Sequence, residues 1–209
     1  MKWDLLIPLL FILFIGIPHG ASDILIARRR FKNSWLKISF FIIGYVFVAI
    51  IFTATWFLYP TLCLALFLFI SGLHFGLLDT IKMPTSSLKL IQAFIYGLTP
   101  IIIPIVFHTR EVNEIFKLLL FDDNNEIALQ IQHFFLVWLL GLIVFFVKHP
   151  ESSQRQVLEI IALASLFVTT PPLWGFAFYF CFVHSIRHFL NLRKELNNLE
   201  RFDVIALFM

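Results

Sequence analysis

Apolar runs of about 20 residues recur along this chain of 209 residues, and each is long enough to cross a bilayer as a helix. Backbone N–H and C=O groups in lipid must be bonded inside the protein, which restricts spanning segments to helices and closed barrels. The sequence shows no period-two alternation typical of barrel strands. With 60% hydrophobic and 14% charged residues, an ordinary soluble domain is excluded. We expect an all-α, polytopic transmembrane bundle that forms one domain over residues 1–209.

The apolar runs predict seven spans, at 5–27, 37–58, 60–81, 88–107, 128–147, 156–170 and 172–191. Prolines mark breaks between them, at Pro60, at Pro84 and at the pair Pro171-Pro172. The first run continues into a basic cluster and is expected to be a retained span instead of a cleaved signal. The longest connection, 108–127, contains EVNEIFKLLLF, which predicts a short amphipathic helix on the membrane surface.

Basic residues predict the orientation of the bundle. If the connection after the first span is cytoplasmic, 13 of the 16 lysines and arginines lie on that side. They are Arg28, Arg29, Arg30, Lys32, Lys37, Lys82, Lys89, Lys148, Arg155, Arg187, Arg193, Lys194 and Arg201. We therefore expect an outside N-terminus and a multi-pass protein of the cell membrane, surrounded by lipid. Topology explains the net charge of +3, which does not indicate nucleic-acid binding.

Four histidines fall at one predicted depth: His19, His74, His184 and His188. The first three lie on spans that run in the same direction, eight or nine residues before a cytoplasmic basic residue. At 1.5 Å per residue, that offset is about 12–14 Å. His188 follows His184 by one helical turn, on the same face. Three helices can thus present four imidazoles around one point in the inner leaflet.

An imidazole in hydrocarbon is costly without a partner, and four at one level suggest a shared metal ion. Imidazole nitrogen suits zinc, copper, nickel and iron, while the lack of thiolates is unlike a structural zinc site. On iron(II), four histidines leave up to two positions of an octahedron for dioxygen and substrate. The remaining histidines, His108, His133 and His149, fall outside this level and are expected to be interfacial residues.

Two carboxylates follow the first two histidines closely. Asp23 lies four residues after His19, and Asp79 lies five residues after His74. Ligating histidines usually donate their second N–H to a carboxylate or carbonyl, so these aspartates are candidates for that role. The alternative is that they are ordinary charges at the membrane boundary. Small residues that allow close helix approach flank both histidines, namely Gly16, Gly20, Gly72 and Gly76.

Aromatic residues crowd the last predicted span, and three of them are candidates for lining an apolar pocket: Trp174, Phe178 and Tyr179. Most of the chain's phenylalanines are expected to pack or to face lipid. The two cysteines, Cys63 and Cys181, lie in apolar runs without metal-binding spacing and are expected to be small core residues.

The residues leave three function classes open: a metal-dependent enzyme, a membrane haem protein for electron transfer, and a metal transporter. Four histidines at one depth favour a compact centre over two stacked haems. No chain of polar residues continues from the cluster to the other face, as transport would require. A retinal-binding receptor is improbable because no lysine lies between Lys148 and Lys194, within the last span. Membrane di-iron enzymes need more histidine boxes than the single HxxxH of this chain.

The motifs GIPHGASD around His19, HFGLLD from His74 and HSIRHF from His184 resemble the Brp/Blh family of bacteriorhodopsin-related membrane proteins. Members of that family act as β-carotene 15,15′-dioxygenases. The resemblance spans nearly the whole chain, with the motifs in the family's order. It implies a multi-helix membrane fold and an iron(II) centre held by His19, His74, His184 and His188. It also implies cleavage of β-carotene with O2, at the central double bond, into two molecules of all-trans-retinal.

Family members usually continue beyond the last histidine with a further hydrophobic segment. The ending FDVIALFM resembles the start of such a run. From the resemblance we expect one of three cases: a truncated gene product or a fragment, each cut short within an eighth span, or a shorter variant of the family.

Overall fold

The computed structural model describes residues 2–80, 89–148 and 153–195. For some helical residues only the backbone is described, namely residues 2, 16–23, 25, 153, 155 and 193–195. The described residues contain helices and turns but no strand, which confirms the prediction of an all-α chain. The α-helices are α1 (Lys2–Arg30), α2 (Trp35–Leu58), α3 (Pro60–Asp79), α4 (Lys89–Gly97), α5 (Thr99–Phe107), α6 (Thr109–Leu120), α7 (Ile127–Gln132), α8 (Phe135–Lys148), α9 (Ser153–Thr169), α10 (Pro172–Phe178) and α11 (Ser185–Glu195). A π-helical segment, Tyr179–His184, connects α10 to α11.

Three helical stretches are long and apolar enough to cross a membrane: Trp35–Leu58, Pro60–Asp79 and Lys89–Phe107. Three shorter apolar helices occupy other predicted spans, at Trp3–Ile15, Phe135–Lys148 and Gln156–Thr169. The predicted helical stretches therefore occur where they were expected. The count of seven spans and the outside N-terminus stay predictions, because length and composition alone do not test them.

Proline ends helices at two of the predicted breaks. Pro60 begins α3 directly after α2, and Pro171 precedes α10 with extended backbone (φ −55°, ψ 145°). The third predicted break, at Pro84, lies outside the described residues. Two further breaks were missed: a turn at Leu98 separates α4 from α5, and a turn at 133–134 separates α7 from α8.

By compactness the chain divides into two units, one of residues 1–63 and 180–209 and one of residues 64–179. The prediction of a single domain stays a prediction. In the first unit, α1 packs against α2 and α11. The thiol of Cys181 donates to the carbonyl of Phe11 at 3.5 Å. Cys63 and Cys181 are both buried free thiols, which confirms the prediction that they are core residues.

Helix α5 forms the centre of the second unit. Its residues 99–105 are all buried, because α9, α7, α6 and α10 pack around it. The apolar run TPIIIP suits this place, since it contains no polar side chain except Thr99, which is itself buried. The hydroxyl of Thr99 donates to the carbonyl of Tyr96 at 2.6 Å, so this buried polar group is satisfied.

The predicted amphipathic helix in the longest connection is α6. Val112, Phe116 and Leu120 recur every four residues and are buried, while Glu111 and Glu114 are exposed. This spacing places the apolar stripe against the protein, where α6 packs on α5 and α7. The amphipathic helix is confirmed, and its position on a membrane surface stays a prediction.

Helices α3 and α4 approach closely through small residues. A Cβ at Gly76 would overlap the carbonyl of Ala93, and a Cβ at Gly97 would overlap the backbone of Gly72 and Gly76. The predicted close packing at Gly72 and Gly76 is thus confirmed. The side-chain environment of the other predicted pair, at positions 16 and 20, lies outside the description.

Candidate metal centre

Helix α3 carries the predicted ligand His74 on a different side from the two glycines that face α4. Successive helical residues are turned by about 100°, so His74 lies about 160–200° round the axis from Gly72 and Gly76, which face α4. His74 is accordingly exposed, whereas Gly72, Phe75 and Gly76 are buried. The close contact with α4 therefore leaves the imidazole directed outward from this helix pair.

Asp79, the predicted partner of a ligating histidine, ends α3 on its buried side. It is turned by about 140° from His74 round the helix axis. Its carboxylate Oδ2 accepts a hydrogen bond from the hydroxyl of Tyr179 at 3.2 Å. A role of Asp79 toward His74 stays a prediction, while the bond to Tyr179 was not foreseen.

The last two predicted ligands lie where the helix changes its winding. His184 ends the π-helical segment Tyr179–His184, and His188 lies in the first turn of α11. His184 is 0% exposed, and its ring stacks on Phe180 with 5.9 Å between centroids and 17° between planes. His188 is half-buried. π-helical turns are rare and frequently occur at functional sites, so this segment is a second indication of a site here.

His19 and Asp23 lie in α1, and their side chains are outside the description. The helix that carries them is nevertheless placed beside α11 in the first unit. The 3.5 Å contact between Cys181 and the Phe11 carbonyl marks one level at which α1 meets the π-helical segment.

The described side chains allow a limited test of whether the residues fit a metal ion. Within that part of the chain, no three His, Cys, Asp or Glu side chains lie close enough together to hold one ion, and His19 was outside the test. The donor set nevertheless suits iron, because neutral imidazoles are good ligands for it. The burial and the fixed ring orientation of His184 also agree with a ligand. The ligand set stays a prediction.

The three candidate pocket residues have different environments. Phe178 is 50% exposed, Trp174 is half-buried, and Tyr179 is 0% exposed. An exposed aromatic ring on an apolar helix can contact a hydrophobic ligand, whereas a fully enclosed ring with an occupied hydroxyl packs inside the protein. Phe178 is therefore exposed on its helix and Tyr179 is enclosed, and the role of all three in a substrate pocket stays a prediction.

His108 has a structural role that the sequence reading did not identify. Its Nε2 lies 2.9 Å from the carbonyl oxygen of Phe167 in α9, to which it donates. Within a helix that carbonyl would accept from the residue four positions later, but Pro171 has no N–H. The imidazole of His108, at the junction of α5 and α6, therefore supplies the hydrogen-bond donor that this carbonyl near the end of α9 lacks. The proline pair was the available signal.

His133 is exposed, with Nδ1 2.8 Å from the carbonyl of Leu129, four residues earlier, which agrees with a local role. His149 lies outside the described residues. A partly buried polar pair was also missed: the hydroxyl of Tyr96 in α4 donates to Glu159 in α9 at 3.2 Å. A glutamate in an apolar helix was its signal.

Comparison with known proteins places the chain in a family. The family model described as beta-carotene 15,15'-dioxygenase matches residues 10–208. A curated protein of the uncultured marine bacterium 66A03, named Beta-carotene 15,15'-dioxygenase, is 31% identical over 192 residues. That match covers 90% of this chain and 69% of the relative. No solved structure is significantly similar. The chain belongs to the β-carotene 15,15′-dioxygenase family.

Proposed function

We propose that this protein cleaves the central 15,15′ double bond of β-carotene with dioxygen, and that iron(II) held by His19, His74, His184 and His188 is its cofactor. The observation that carries the activity is the family match over residues 10–208, which includes all four histidines. A relative named Beta-carotene 15,15'-dioxygenase supports it, with 31% identity over nearly the whole chain.

The contact between Cys181 and Phe11 supports a common level for the ligands on α1 and α11. In the proposed topology the first and last spans run in the same direction. His19 then lies eight residues beyond Phe11, and His188 lies seven residues beyond Cys181. At 1.5 Å per residue, these offsets are about 12 Å and about 10 Å along neighbouring helices. This level agrees with one metal ion between them.

The reaction joins one dioxygen molecule to one polyene. The double bond between the two central carbons and the bond between the two oxygen atoms break, and two C=O bonds form. Each all-trans-retinal product therefore carries one oxygen atom. Iron(II), when bound, supplies a centre where dioxygen and the double bond react together.

The chain's own residues would hold and orient the reactants. The four imidazoles provide the nitrogen donors, and the aromatic side chains Trp174 and Phe178 contact the flat polyene. The apolar surroundings exclude water and leave the substrate a path from lipid. We further propose the seven-span topology with an outside N-terminus, in the cell membrane, since the cytoplasmic side then collects most basic residues.

Expression in cells that accumulate β-carotene tests the activity. We expect the carotene colour to fade and all-trans-retinal to appear by chromatography, with an 18O atom in both aldehydes under 18O2. His19→Ala and His188→Ala should abolish retinal formation. His133→Ala is the matched control, because it removes an exposed imidazole that bonds only its own helix in the described contacts. Unchanged carotene and no retinal, with the protein in the membrane, would refute the proposal.

A further inference from the structure

Tyr179 holds one face of α3 by both its ring and its hydroxyl. The ring makes an edge-to-face contact with Phe75, with 5.4 Å between centroids and 88° between planes. The hydroxyl donates to Asp79, which lies one helical turn beyond Phe75 on the same face. Tyr179 is 0% exposed and Asp79 is half-buried, so the ring contact is enclosed and the hydrogen bond is partly buried. Tyr179 therefore contacts α3 at two positions on one helix face.

These two contacts restrict the rotation of α3 about its own axis. The neighbouring face of the helix is already fixed, because Gly76 contacts the backbone of Ala93 in α4. Rotation would separate Phe75 and Asp79 from Tyr179. The contacts of Phe75, Gly76 and Asp79 therefore help to set the direction in which α3 presents His74.

Tyr179 is also the first residue of the π-helical segment that ends at His184. A π turn contains one residue more than an α turn, so the residues after it are turned by about 100° relative to an uninterrupted helix. Such turns are rare and frequently occur at functional sites. Here the Ser185 hydroxyl donates to the Phe180 carbonyl at 2.8 Å near the far end. The bond from Tyr179 to Asp79 fixes the near end.

We propose that Tyr179 is a positioning residue for the metal-binding histidines: its contacts with Phe75 and Asp79 fix the rotation of α3, which carries His74, and the start of the π-helical segment, which carries His184. This inference rests on the proposed iron function. It takes Tyr179 out of the substrate pocket and gives the carboxylate of Asp79 a definite partner. It also gives a role to a partly buried polar pair between apolar helices.

The chain offers a closely matched control. Tyr96 is also a buried tyrosine, and it also donates to a carboxylate at 3.2 Å, but its bond joins α4 to α9. Tyr179→Phe and Tyr96→Phe therefore each remove one buried hydroxyl group. The hydrogen bonds that they remove have the same length. A general loss of stability affects both variants, whereas a loss of positioning affects only Tyr179→Phe. Asp79→Asn keeps an acceptor oxygen, and Asp79→Leu removes it.

The experiment measures the iron(II) affinity of these purified variants, together with hydrogen exchange of the peptide that contains residues 179–188. Tyr179→Phe and Asp79→Leu should bind iron(II) about tenfold more weakly, the effect expected of groups that orient ligands. Both should also exchange faster across the π-helical segment. Tyr96→Phe should resemble the wild type in both measurements. Asp79→Asn should fall between the wild type and Asp79→Leu, because an uncharged amide oxygen accepts more weakly than a carboxylate. The Tyr179→Phe/Asp79→Leu double variant should be no worse than either single variant.

The two proposals fail in different ways. Wild-type protein that binds no iron refutes the metal proposal, and hydrogen exchange alone then decides the inference about Tyr179. Wild-type protein that binds iron, with Tyr179→Phe and Tyr96→Phe equal in affinity and exchange, overturns the positioning role. A Tyr179→Phe variant with wild-type affinity and wild-type exchange overturns it as well.

Discussion

Gly97→Ala should destabilise the protein by separating α3 from α4. The added Cβ would overlap the carbonyl of Gly72 and the backbone nitrogen of Gly76. These are backbone atoms that cannot rotate away as a side chain does, so the helices must move apart. Overpacking a close contact costs about 1–3 kcal/mol. Replacing glycine by alanine in a helix returns up to about 1 kcal/mol. Because backbone atoms cannot give way, the cost falls at the upper end of that range, and we expect a net loss of about 2 kcal/mol.

Gly44→Ala is the control for this substitution. Gly44 also lies in an apolar helix, α2, but an added Cβ there meets no atom within 4 Å. Only the helix propensity changes, so the stability should stay equal or rise by up to about 1 kcal/mol. Unfolding in mixed micelles, followed by circular dichroism during titration with a denaturing detergent, compares the two variants. Equal stability of Gly97→Ala and Gly44→Ala would refute the close approach of α3 and α4.

Three further predictions concern other parts of the chain. His108→Leu should lower the free energy of unfolding by about 1–3 kcal/mol in the same titration, because the carbonyl of Phe167 loses its donor. His108→Gln should recover part of the loss. Equal stability of both variants would contradict this role. Phe178→Ala should raise KM for β-carotene about tenfold with little change in kcat, since an aromatic contact with the polyene is lost; an unchanged KM removes Phe178 from the pocket. The hydrogen bond to Glu114 raises the pKa of Lys117 above its ordinary 10.5. The stabilisation of the fold by this pair is therefore complete below about pH 10.5, and it is lost only as the pH rises through the raised pKa. The stability difference between wild type and Lys117→Met should therefore stay constant between about pH 6 and pH 9, and a change within that window would contradict the assignment.

Much of the helical arrangement follows from local sequence signals. Apolar run lengths predict the helices, and Pro60 and Pro171 mark two helix boundaries because proline removes an N–H and restricts the preceding residue. The spacing of Val112, Phe116 and Leu120 predicts α6 for a similarly local reason. These features depend on covalent geometry and periodicity, so a single sequence contains them.

The missed features depend on contacts between distant residues. The π-helical segment has no sequence signature of its own, and its first residue is fixed by Asp79, 100 residues earlier. The role of His108 needs the α9 carbonyl that Pro171 leaves without a donor, 59 residues away. Spacing made Asp79 a candidate partner of His74, which stays a prediction, while its bond to Tyr179 depends on the contact between α3 and the end of α10.

The iron content of purified protein tests the central claim most directly. Wild-type protein, His184→Ala and the control His133→Ala are loaded with iron(II), washed, and analysed for metal per chain. The proposed four-histidine centre predicts about one iron per chain in the wild type and the control, and a large loss in His184→Ala. Full retention of iron in His184→Ala, or no iron in the wild type, would contradict the account.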